Sequence, residues 1–308
     1  MQMHPYMLPN LYVPGAAKSG TSTLHELLNV HPDICMSTIK EPHYWTNKDY
    51  AEMKDNLLSR YETLFEDKNC TYFGESSTAY FSFPEFIQRM KPYYSESPKF
   101  ILLLRNPIDR LYSHYWWLKA LGSEDLDFRE AVLLDFDIEP AEKNRLPEGN
   151  FKNYFQYGLY GKWLQKFIDA FGRENIHIIT TESLKNYRLE TLNSCFKFLN
   201  LNPLESLPES DKNKTTLLRF PKLYKNTKKL LFGKSGIKMT LKKLIPMKYR
   251  SSLKNKIHET VFDLTATEKT YPKMNETDRL WARKLYDEDV NLLRKITGLN
   301  FEEWKDFN

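Results

Sequence analysis

The chain has 308 residues, of which 41% are hydrophobic and 14% aromatic. That length suits one large α/β domain or two modest ones, and the apolar content is enough for a sizeable core. The sequence shows no internal repeat and no low-complexity tract. No run of 18 apolar residues occurs, which argues against a transmembrane helix, and the first ten residues lack the pattern of a signal peptide. We therefore expect a soluble, cytoplasmic protein, although a chain trimmed of an N-terminal anchor would look the same.

Positive charge is concentrated in one segment of the chain. Residues 212–256 contain 15 Lys or Arg and no Asp or Glu, which leaves 30 basic and 40 acidic residues elsewhere. Such a segment is expected to face something anionic. Three interpretations stay open: it binds an anionic acceptor, it contacts a membrane surface, or it is a solvated helical face.

The three cysteines are Cys35, Cys70 and Cys195. Their odd number and wide spacing match neither a zinc site nor a dense disulfide framework. We expect free thiols in a reducing compartment, with one disulfide as the alternative. No pattern in the sequence requires a metal.

Short apolar runs alternate with amphipathic runs along the chain. Buried strands are predicted at residues 8–14, 71–75, 100–104 and 176–179. Helices are predicted at residues 21–30, 84–90, 107–121, 160–171, 188–199 and 278–296. This alternation is typical of a central parallel sheet with helices on both faces. In such sheets, ligands bind beyond the carboxyl ends of the strands.

A glycine-containing loop joins the first strand to the first helix. Residues 15–23 read GAAKSGTST. Small residues allow the backbone to approach a ligand closely, and the N–H groups at a helix start attract an anion. The candidate anion-binding residues are Lys18, Ser19, Gly20, Thr21, Ser22 and Thr23.

The loop differs from the nucleoside triphosphate pattern, because Thr21 stands where that pattern has its lysine. The lysine lies inside the loop, at position 18, and no acidic Mg²⁺ ligand ends the strand at 100–104. The loop instead resembles the 5′-phosphosulfate loop of sulfotransferases that use PAPS (3′-phosphoadenosine 5′-phosphosulfate). That resemblance implies a three-layer, P-loop-like α/β fold, with PAPS as the cofactor and PAP, its desulfonated form, as the product.

A second motif, RNPIDRLYS, follows the strand at 100–104. It resembles the 3′-phosphate motif of the same family, which implies that Arg105 and Ser113 hold the 3′-phosphate. The planar guanidinium of Arg105 suits bidentate phosphate binding. We interpret Asp109 and Arg110 as helix-start charges or a structural ion pair.

A candidate base lies in residues 40–45, KEPHYW. A base must come within about 2.6–3.2 Å of the hydroxyl that it deprotonates, and a Glu or a neutral His can serve. The segment resembles K-E-x-H-[FY]-[FW] of heparan- and chondroitin-type sulfotransferases and their bacterial relatives. The resemblance implies Glu41 as the catalytic base, with Lys18 assisting and His43 orienting Glu41 or contacting the acceptor.

Three tyrosines are candidates for the acceptor cleft. Tyr80 belongs to a segment that resembles the E-K-[ST]-x-x-Y-F element of the family, but Ser76 stands where the family often has lysine. That departure leaves the acceptor class open. Tyr157 and Tyr160 belong to a Y-x-x-G-x-Y element, for which aromatic packing at a helix start is the alternative.

Many family members close the cofactor site with a basic loop after the last sheet-side helix. The residues at the matching place are Lys212, Lys214 and Thr215. In all, the resemblance spans about residues 10–308 and implies a single sulfotransferase domain over 1–308.

The function that follows is transfer of a sulfuryl group from PAPS to a hydroxyl or amine acceptor. The expected acceptor is a carbohydrate or glycoconjugate, which includes an anionic glycan. One alternative is a nucleotide kinase of related fold, which would depend on Mg²⁺. Another is a non-catalytic polyanion-binding protein driven by residues 212–256, although no recognised nucleic-acid motif is present.

Overall fold

The computed structural model describes residues 8–47, 49–65, 69–141, 145–146, 151–207, 217–218, 266–267 and 271–308. The predicted cofactor-loop residues Lys212, Lys214 and Thr215 lie outside these residues, as does the basic segment 212–256 apart from residues 217–218. The roles assigned to them stay predictions. No helix in the described part of the chain is long and apolar enough to cross a membrane.

Five parallel strands form the central sheet. They are β1 (Leu11–Tyr12), β2 (Ile34–Met36), β3 (Tyr72–Glu75), β4 (Lys99–Leu104) and β5 (Ile176–Thr180), in the spatial order β2-β3-β1-β4-β5. Two further short strands, β6 (Leu217–Leu218) and β7 (Ala266–Thr267), form a separate antiparallel pair. Because the five strands are parallel, all their carboxyl ends lie at the same edge of the sheet.

Nine helices accompany these strands in the described residues. They are α1 (Thr21–Leu28), α2 (Tyr50–Glu62), α3 (Pro84–Met90), α4 (Pro107–Ala120), α5 (Phe128–Asp135), α6 (Tyr160–Phe171), α7 (Thr181–Asn186), α8 (Arg188–Phe198) and α9 (Glu276–Thr297).

The side chains of β4 alternate between two hydrophobic cores, as the pleat of a strand requires. Phe100, Leu102 and Leu104 enter the core that α4, α6 and α9 cover, whereas Ile101 and Leu103 enter the core that α1 and α8 cover. All five are fully buried. The predicted fold class, a parallel sheet with helices on both faces, is confirmed.

The sequence pattern located most elements and missed the short or weakly patterned ones. The predicted helices at 84–90 and 160–171 have the observed bounds of α3 and α6. The first strand is shorter than predicted, since only Leu11–Tyr12 pairs on both sides. We did not predict β2, α2, α5 or α7. Three residues are too few for β2 to show a period, and α7 begins directly where β5 ends.

A carboxylate from α9 caps the start of α6. The side chain of Asp289 accepts hydrogen bonds from the backbone N–H groups of Gly161 and Lys162, both at 2.8 Å. The first N–H groups of a helix have no partner within the helix. Burial raises the pKa of Asp289 to about 6, while these two donors oppose that rise. At Gly161 a Cβ atom would lie 2.6 Å from the Asp289 carbonyl oxygen, so only glycine permits this close contact between the two helices.

We expect Asp289→Ala to lower the free energy of unfolding by about 2–4 kcal/mol, because it leaves two buried donors without an acceptor. Chemical denaturation monitored by circular dichroism measures this change. Asp287→Ala is the matched control on the same helix, since its carboxylate is 42% exposed and pairs with Arg283 in the preceding turn. Equal stability of the two variants would contradict the capping role.

The cysteines differ from the expectation of three free thiols. Cys35 in β2 and Cys70, just before β3, form a disulfide, whereas Cys195 is free and buried in α8. The pairing depends on tertiary structure: β2 and β3 are neighbours in the sheet, and this brings two residues 35 positions apart within bonding distance. Spacing along the chain could not show this.

A thiol titration checks the disulfide directly. The denatured, unreduced protein should show one reactive thiol per chain, and the reduced protein three. Three thiols before reduction, in protein purified without reductant, would show that the bond does not form.

Candidate functional site

A cavity of about 640 Å³ lies at the carboxyl edge of the sheet. Segments that follow all five strands of the central sheet contribute to its wall. The lining residues are Ala17, Lys18, Ser19, Gly20, Thr21, Ser22, Thr23, Lys40, Glu41, His43, Thr78, Ala79, Arg105, Ser113, His114, Trp117, Phe151, Tyr157 and Thr181. The cavity therefore brings together the predicted phosphate loop, the Arg105 motif, the Glu41 segment and Tyr157.

The loop between β1 and α1 has the backbone geometry of an anion-binding turn. Gly20 adopts φ 95°, a left-handed conformation that favours glycine, and α1 begins at the next residue. At Gly15 a Cβ atom would lie 2.7 Å from the Cβ of Phe81, so glycine permits the loop to pack against the segment after β3. The start of α1 consequently faces the cavity, where its free N–H groups and dipole favour negative charge.

Lys18 and Arg105 place two positive charges beside this loop. Arg105 follows the last residue of β4, and its guanidinium donates to the Lys18 carbonyl oxygen at 3.2 Å. Burial, together with the charge of Arg105, lowers the pKa of Lys18 to about 8. The Lys18 ammonium lies 4.4 Å from the ring centroid of Trp117, a cation–π distance. An anion in the cavity would add negative charge beside Lys18 and favour its charged form.

Hydroxyl groups complete the phosphate side of the cavity. Ser113, in the second turn of α4, is almost fully buried and lines the cavity. Thr181, the first residue of α7, donates to the carbonyl oxygens of Ser19 at 2.6 Å and Leu104 at 3.0 Å. Thr181 therefore ties the phosphate loop to the end of β4.

Glu41 has three hydrogen-bond donors around its carboxylate. One oxygen accepts from the Lys40 ammonium at 2.6 Å and from the Thr78 hydroxyl at 3.2 Å, and the other lies 3.2 Å from Nε2 of His43. Burial opposes ionisation, but the hydrogen bond from His43 and the charge of Lys40 outweigh it and lower the pKa of Glu41 to about 2. Glu41 is therefore a carboxylate at neutral pH.

The segment after β3 holds the Glu41 segment in place. The Glu41 N–H donates to the Ser76 carbonyl oxygen at 2.9 Å, and the His43 N–H donates to the Ser77 hydroxyl at 3.1 Å. Ser77 in turn donates to the buried carboxyl group of Glu75, which also accepts from Tyr61 at 2.8 Å. Desolvation raises the pKa of Glu75 to about 7 despite these donors.

Ser76 itself points away from the cavity. It is fully buried, and its hydroxyl lies 2.9 Å from Nδ1 of His25 in α1. The other nitrogen of His25 lies 3.1 Å from the Ser37 carbonyl oxygen. The position at which the resembled family often has lysine is thus occupied by a packing contact, not by a charge in the site.

His114 is a second histidine in the wall, but it is not a base. Its Nδ1 accepts from the Arg110 guanidinium at 3.3 Å, so its Nε2 carries the proton and donates to the Phe151 carbonyl oxygen at 3.0 Å. Burial, with the charge of Arg110, lowers its pKa well below the ordinary value. Arg110 is fully buried and also donates to the Tyr154 carbonyl oxygen.

Asp109 forms an ion pair, but its partner is not the neighbouring Arg110. Its carboxylate lies 2.9 Å from the guanidinium of Arg279 in α9. Arg110 instead donates to His114 and to the Tyr154 carbonyl oxygen in the buried network.

The aromatic candidates divide between the cavity and the core. Tyr157 lines the cavity and stacks on His114, with ring centroids 5.7 Å apart. Tyr80 and Tyr160 are fully buried and do not line it. Tyr80 stacks on Phe86, and its hydroxyl accepts a hydrogen bond from the backbone N–H of Trp45 at 3.2 Å. The structure thus gives Tyr80 and Tyr160 a packing environment in place of the acceptor contact predicted for them.

One polar atom on the cavity residues, Nδ1 of His43, is buried without a hydrogen-bond partner among the described residues. Nearly all buried polar atoms in folded proteins are paired. The unpaired nitrogen therefore marks the Glu41 side of the cavity as a place where a ligand could form a hydrogen bond.

Several cavity residues were not assigned a role from the sequence. They are Lys40, Thr78, His114, Phe151 and Thr181. Two signals were available. Lys40 is adjacent to the predicted base, and Thr181 follows the predicted strand at 176–179, whose carboxyl end belongs to the ligand-binding edge.

Comparison with known proteins agrees with this geometry. A family model for the sulfotransferase domain matches residues 8–268. Carbohydrate sulfotransferase 15 of Mus musculus is 26% identical over an alignment of 259 positions. The alignment covers 66% of this chain and 46% of that protein. Heparan sulfate glucosamine 3-O-sulfotransferase 5 of Mus musculus is 26% identical over 202 residues, with coverage of 64% and 54%. The chain spans about half the length of these curated relatives.

The same fold occurs in a solved bacterial structure. A sulfotransferase from Alicyclobacillus acidocaldarius superposes with a TM-score of 0.66 and 22% identity, and the match covers 97% of this chain and 99% of that one. The family model includes the phosphate loop, the Glu41 segment and the Arg105 motif, and it extends over most of the chain. The chain therefore belongs to the sulfotransferase domain family.

Proposed function

We propose that this protein transfers the sulfuryl group of PAPS to a hydroxyl group of a carbohydrate acceptor. The observation that carries the proposal is the convergence, in one cavity, of a cationic phosphate loop and an ionised carboxylate. Lys18 and Arg105 supply the positive charge, and Glu41 supplies the carboxylate. Sulfuryl transfer needs both, because charge develops on a leaving phosphate while a proton leaves the acceptor.

In the proposed step, the acceptor oxygen attacks sulfur in line with the bond between sulfur and the 5′-phosphate oxygen. The new O–S bond forms as the old S–O bond breaks, and the electron pair of the broken bond stays on the phosphate oxygen. The acceptor proton passes to Glu41, which later loses it to solvent. The products are the sulfated acceptor and PAP.

The cavity residues have distinct roles in this step. Lys18 and the N–H groups at the start of α1 stabilise the charge on the leaving oxygen, a contribution of about 3–4 kcal/mol per donor in other enzymes. Arg105 and Ser113 bind the 3′-phosphate, and Ser19, Gly20, Thr21, Ser22 and Thr23 surround the 5′-phosphate. His43 and Tyr157 are the acceptor contacts, since both line the cavity and Nδ1 of His43 has no hydrogen-bond partner among the described residues.

The acceptor class is inferred from two supports. The relatives named above carry carbohydrate and heparan sulfate in their names. In addition, the cavity wall includes Trp117, Phe151 and Tyr157, and flat aromatic faces next to hydrogen-bonding groups suit a sugar ring.

We expect wild-type protein to bind PAP without Mg²⁺ and Arg105→Ala to bind it at least ~10-fold more weakly, because a charge-assisted bond to phosphate is lost. Isothermal titration calorimetry measures both. Arg129→Ala is the matched control, since Arg129 pairs with Asp278 away from the cavity and should leave PAP affinity unchanged.

Two results would overturn the proposal. One is no binding of PAP to the wild type, and the other is binding that does not depend on Arg105. Mg²⁺-dependent binding of ATP in preference to PAP would instead support a nucleotide kinase.

The affinity for PAP should also fall as the pH rises from 7 to 9. The pKa of Lys18 is about 8 in the free protein, so the lysine loses its charge over this range, while the phosphates of PAP stay ionised. The expected decrease is up to ~10-fold by pH 9, which follows from the fraction of Lys18 that remains charged. Binding should also take up protons near pH 8.

Calorimetry in two buffers of different ionisation enthalpy measures this proton uptake. Lys18→Arg is the control, because a guanidinium stays charged throughout the range and should remove the pH dependence. A decrease of the same size in Lys18→Arg would assign the effect to another group.

A further inference from the structure

Lys40 is the cavity cation that the proposed function has not used. Three cations line the described part of the cavity: Lys18, Lys40 and Arg105. The first and third lie together at the phosphate loop, where Arg105 donates to the Lys18 carbonyl oxygen. Lys40 instead lies on the segment after β2, with its ammonium 2.6 Å from the Glu41 carboxylate.

The contact between Lys40 and Glu41 determines how close Lys40 lies to the sulfuryl group. An acceptor oxygen must come within about 2.6–3.2 Å of the Glu41 carboxylate to lose its proton. Sulfur must approach that same oxygen to about 3–3.5 Å before the bond forms. A lysine ammonium that already touches the carboxylate is therefore close to the sulfuryl oxygens at the moment of transfer. Its four-carbon stem allows the small movement required.

We propose that Lys40 is a catalytic residue that binds the sulfuryl group of the bound donor. To reach the sulfuryl group, the Lys40 ammonium gives up its contact with the Glu41 carboxylate. The inference rests on the proposed function, since it requires PAPS as the donor. Without a donor, Lys40 pairs with Glu41 and neutralises it. With the donor present, the sulfuryl oxygens compete for the ammonium and the carboxylate loses its closest partner.

This exchange would make the base stronger only when the donor is present. In the free protein Glu41 is held by Lys40, Thr78 and His43, and a carboxylate so well stabilised accepts a proton poorly. The other ionisable groups around it are Lys18 on the phosphate loop, Glu75 after β3 and Tyr157. Of the three direct partners, Lys40 alone has an ammonium group on a long, flexible side chain.

No second cation could substitute from the segment after β3. Its side chains near Glu41 are Ser76, Ser77 and Thr78, and Ser76 is buried against His25. Among the described residues, Lys40 is therefore the cation in direct contact with the base, whereas Lys18 lies on the phosphate loop, where the proposed function assigns it to the leaving oxygen.

The test compares the affinities for PAPS and PAP, which differ only by the sulfuryl group. Binding is followed by calorimetry at low temperature without acceptor, and PAP release is measured to correct for hydrolysis. We expect Lys40→Met to weaken PAPS binding ~10- to 100-fold, the usual effect of losing a charge-assisted hydrogen bond, and to change PAP binding less than twofold. Lys40→Arg should retain most of the affinity for PAPS.

The controls separate this role from folding and from the general charge of the cavity. Lys162→Met removes a lysine that pairs with Glu139 outside the cavity and should leave both affinities unchanged. Thermal unfolding of Lys40→Met shows whether the variant is folded. An equal loss for PAPS and PAP, or no loss for either, would overturn the proposal for Lys40.

The outcome also distinguishes failure of this inference from failure of the proposed function. If wild-type protein binds PAP and PAPS but Lys40→Met binds them with unchanged preference, Lys40 does not contact the sulfuryl group and the sulfotransferase function stands. If the wild type binds neither nucleotide, the proposed function itself is wrong.

Discussion

The parallel pairing of the five strands is the constraint on which the site depends. Parallel strands have their carboxyl ends at one edge, so the segments after β1, β2, β3, β4 and β5 meet there, although Ser19 and Thr181 are 162 residues apart along the chain. β4 pairs with both β1 and β5 and supplies side chains to both hydrophobic cores. A shift of its register would displace Arg105 relative to Lys18 and would move buried side chains to the opposite face.

The site combines an excess of positive charge with one ionised carboxylate. The start of α1, Lys18 and Arg105 all favour an anion, and each is held by packing or backbone contacts before a ligand arrives. Glu41 stays ionised because its hydrogen-bond donors outweigh its partial burial. Charges that are fixed in advance need little reorganisation during a reaction, and this is why such arrangements are effective in catalysis.

Backbone conformations in the site are unusual and are supported by neighbouring segments. Lys18, Glu41 and His43 have φ values of 67°, 60° and 53°, in the left-handed region that non-glycine residues rarely adopt. Such conformations persist where surrounding contacts fix them, and they concentrate at functional sites. Here the hydrogen bonds to Ser76 and Ser77 fix the Glu41 segment, and those serines follow a strand in the middle of the sheet.

The sequence by itself determined the fold class, the phosphate loop, the Arg105 motif and the Glu41 segment, because each depends on local periodicity or on spacing within one motif. Tertiary structure alone decided which candidates meet. It buried Tyr80 and Tyr160 in the core, paired Cys35 with Cys70, and brought Thr78, Thr181 and Lys40 to the cavity. The direction of a side chain and the partner of a charge depend on elements distant along the chain, and one strand or motif does not specify them.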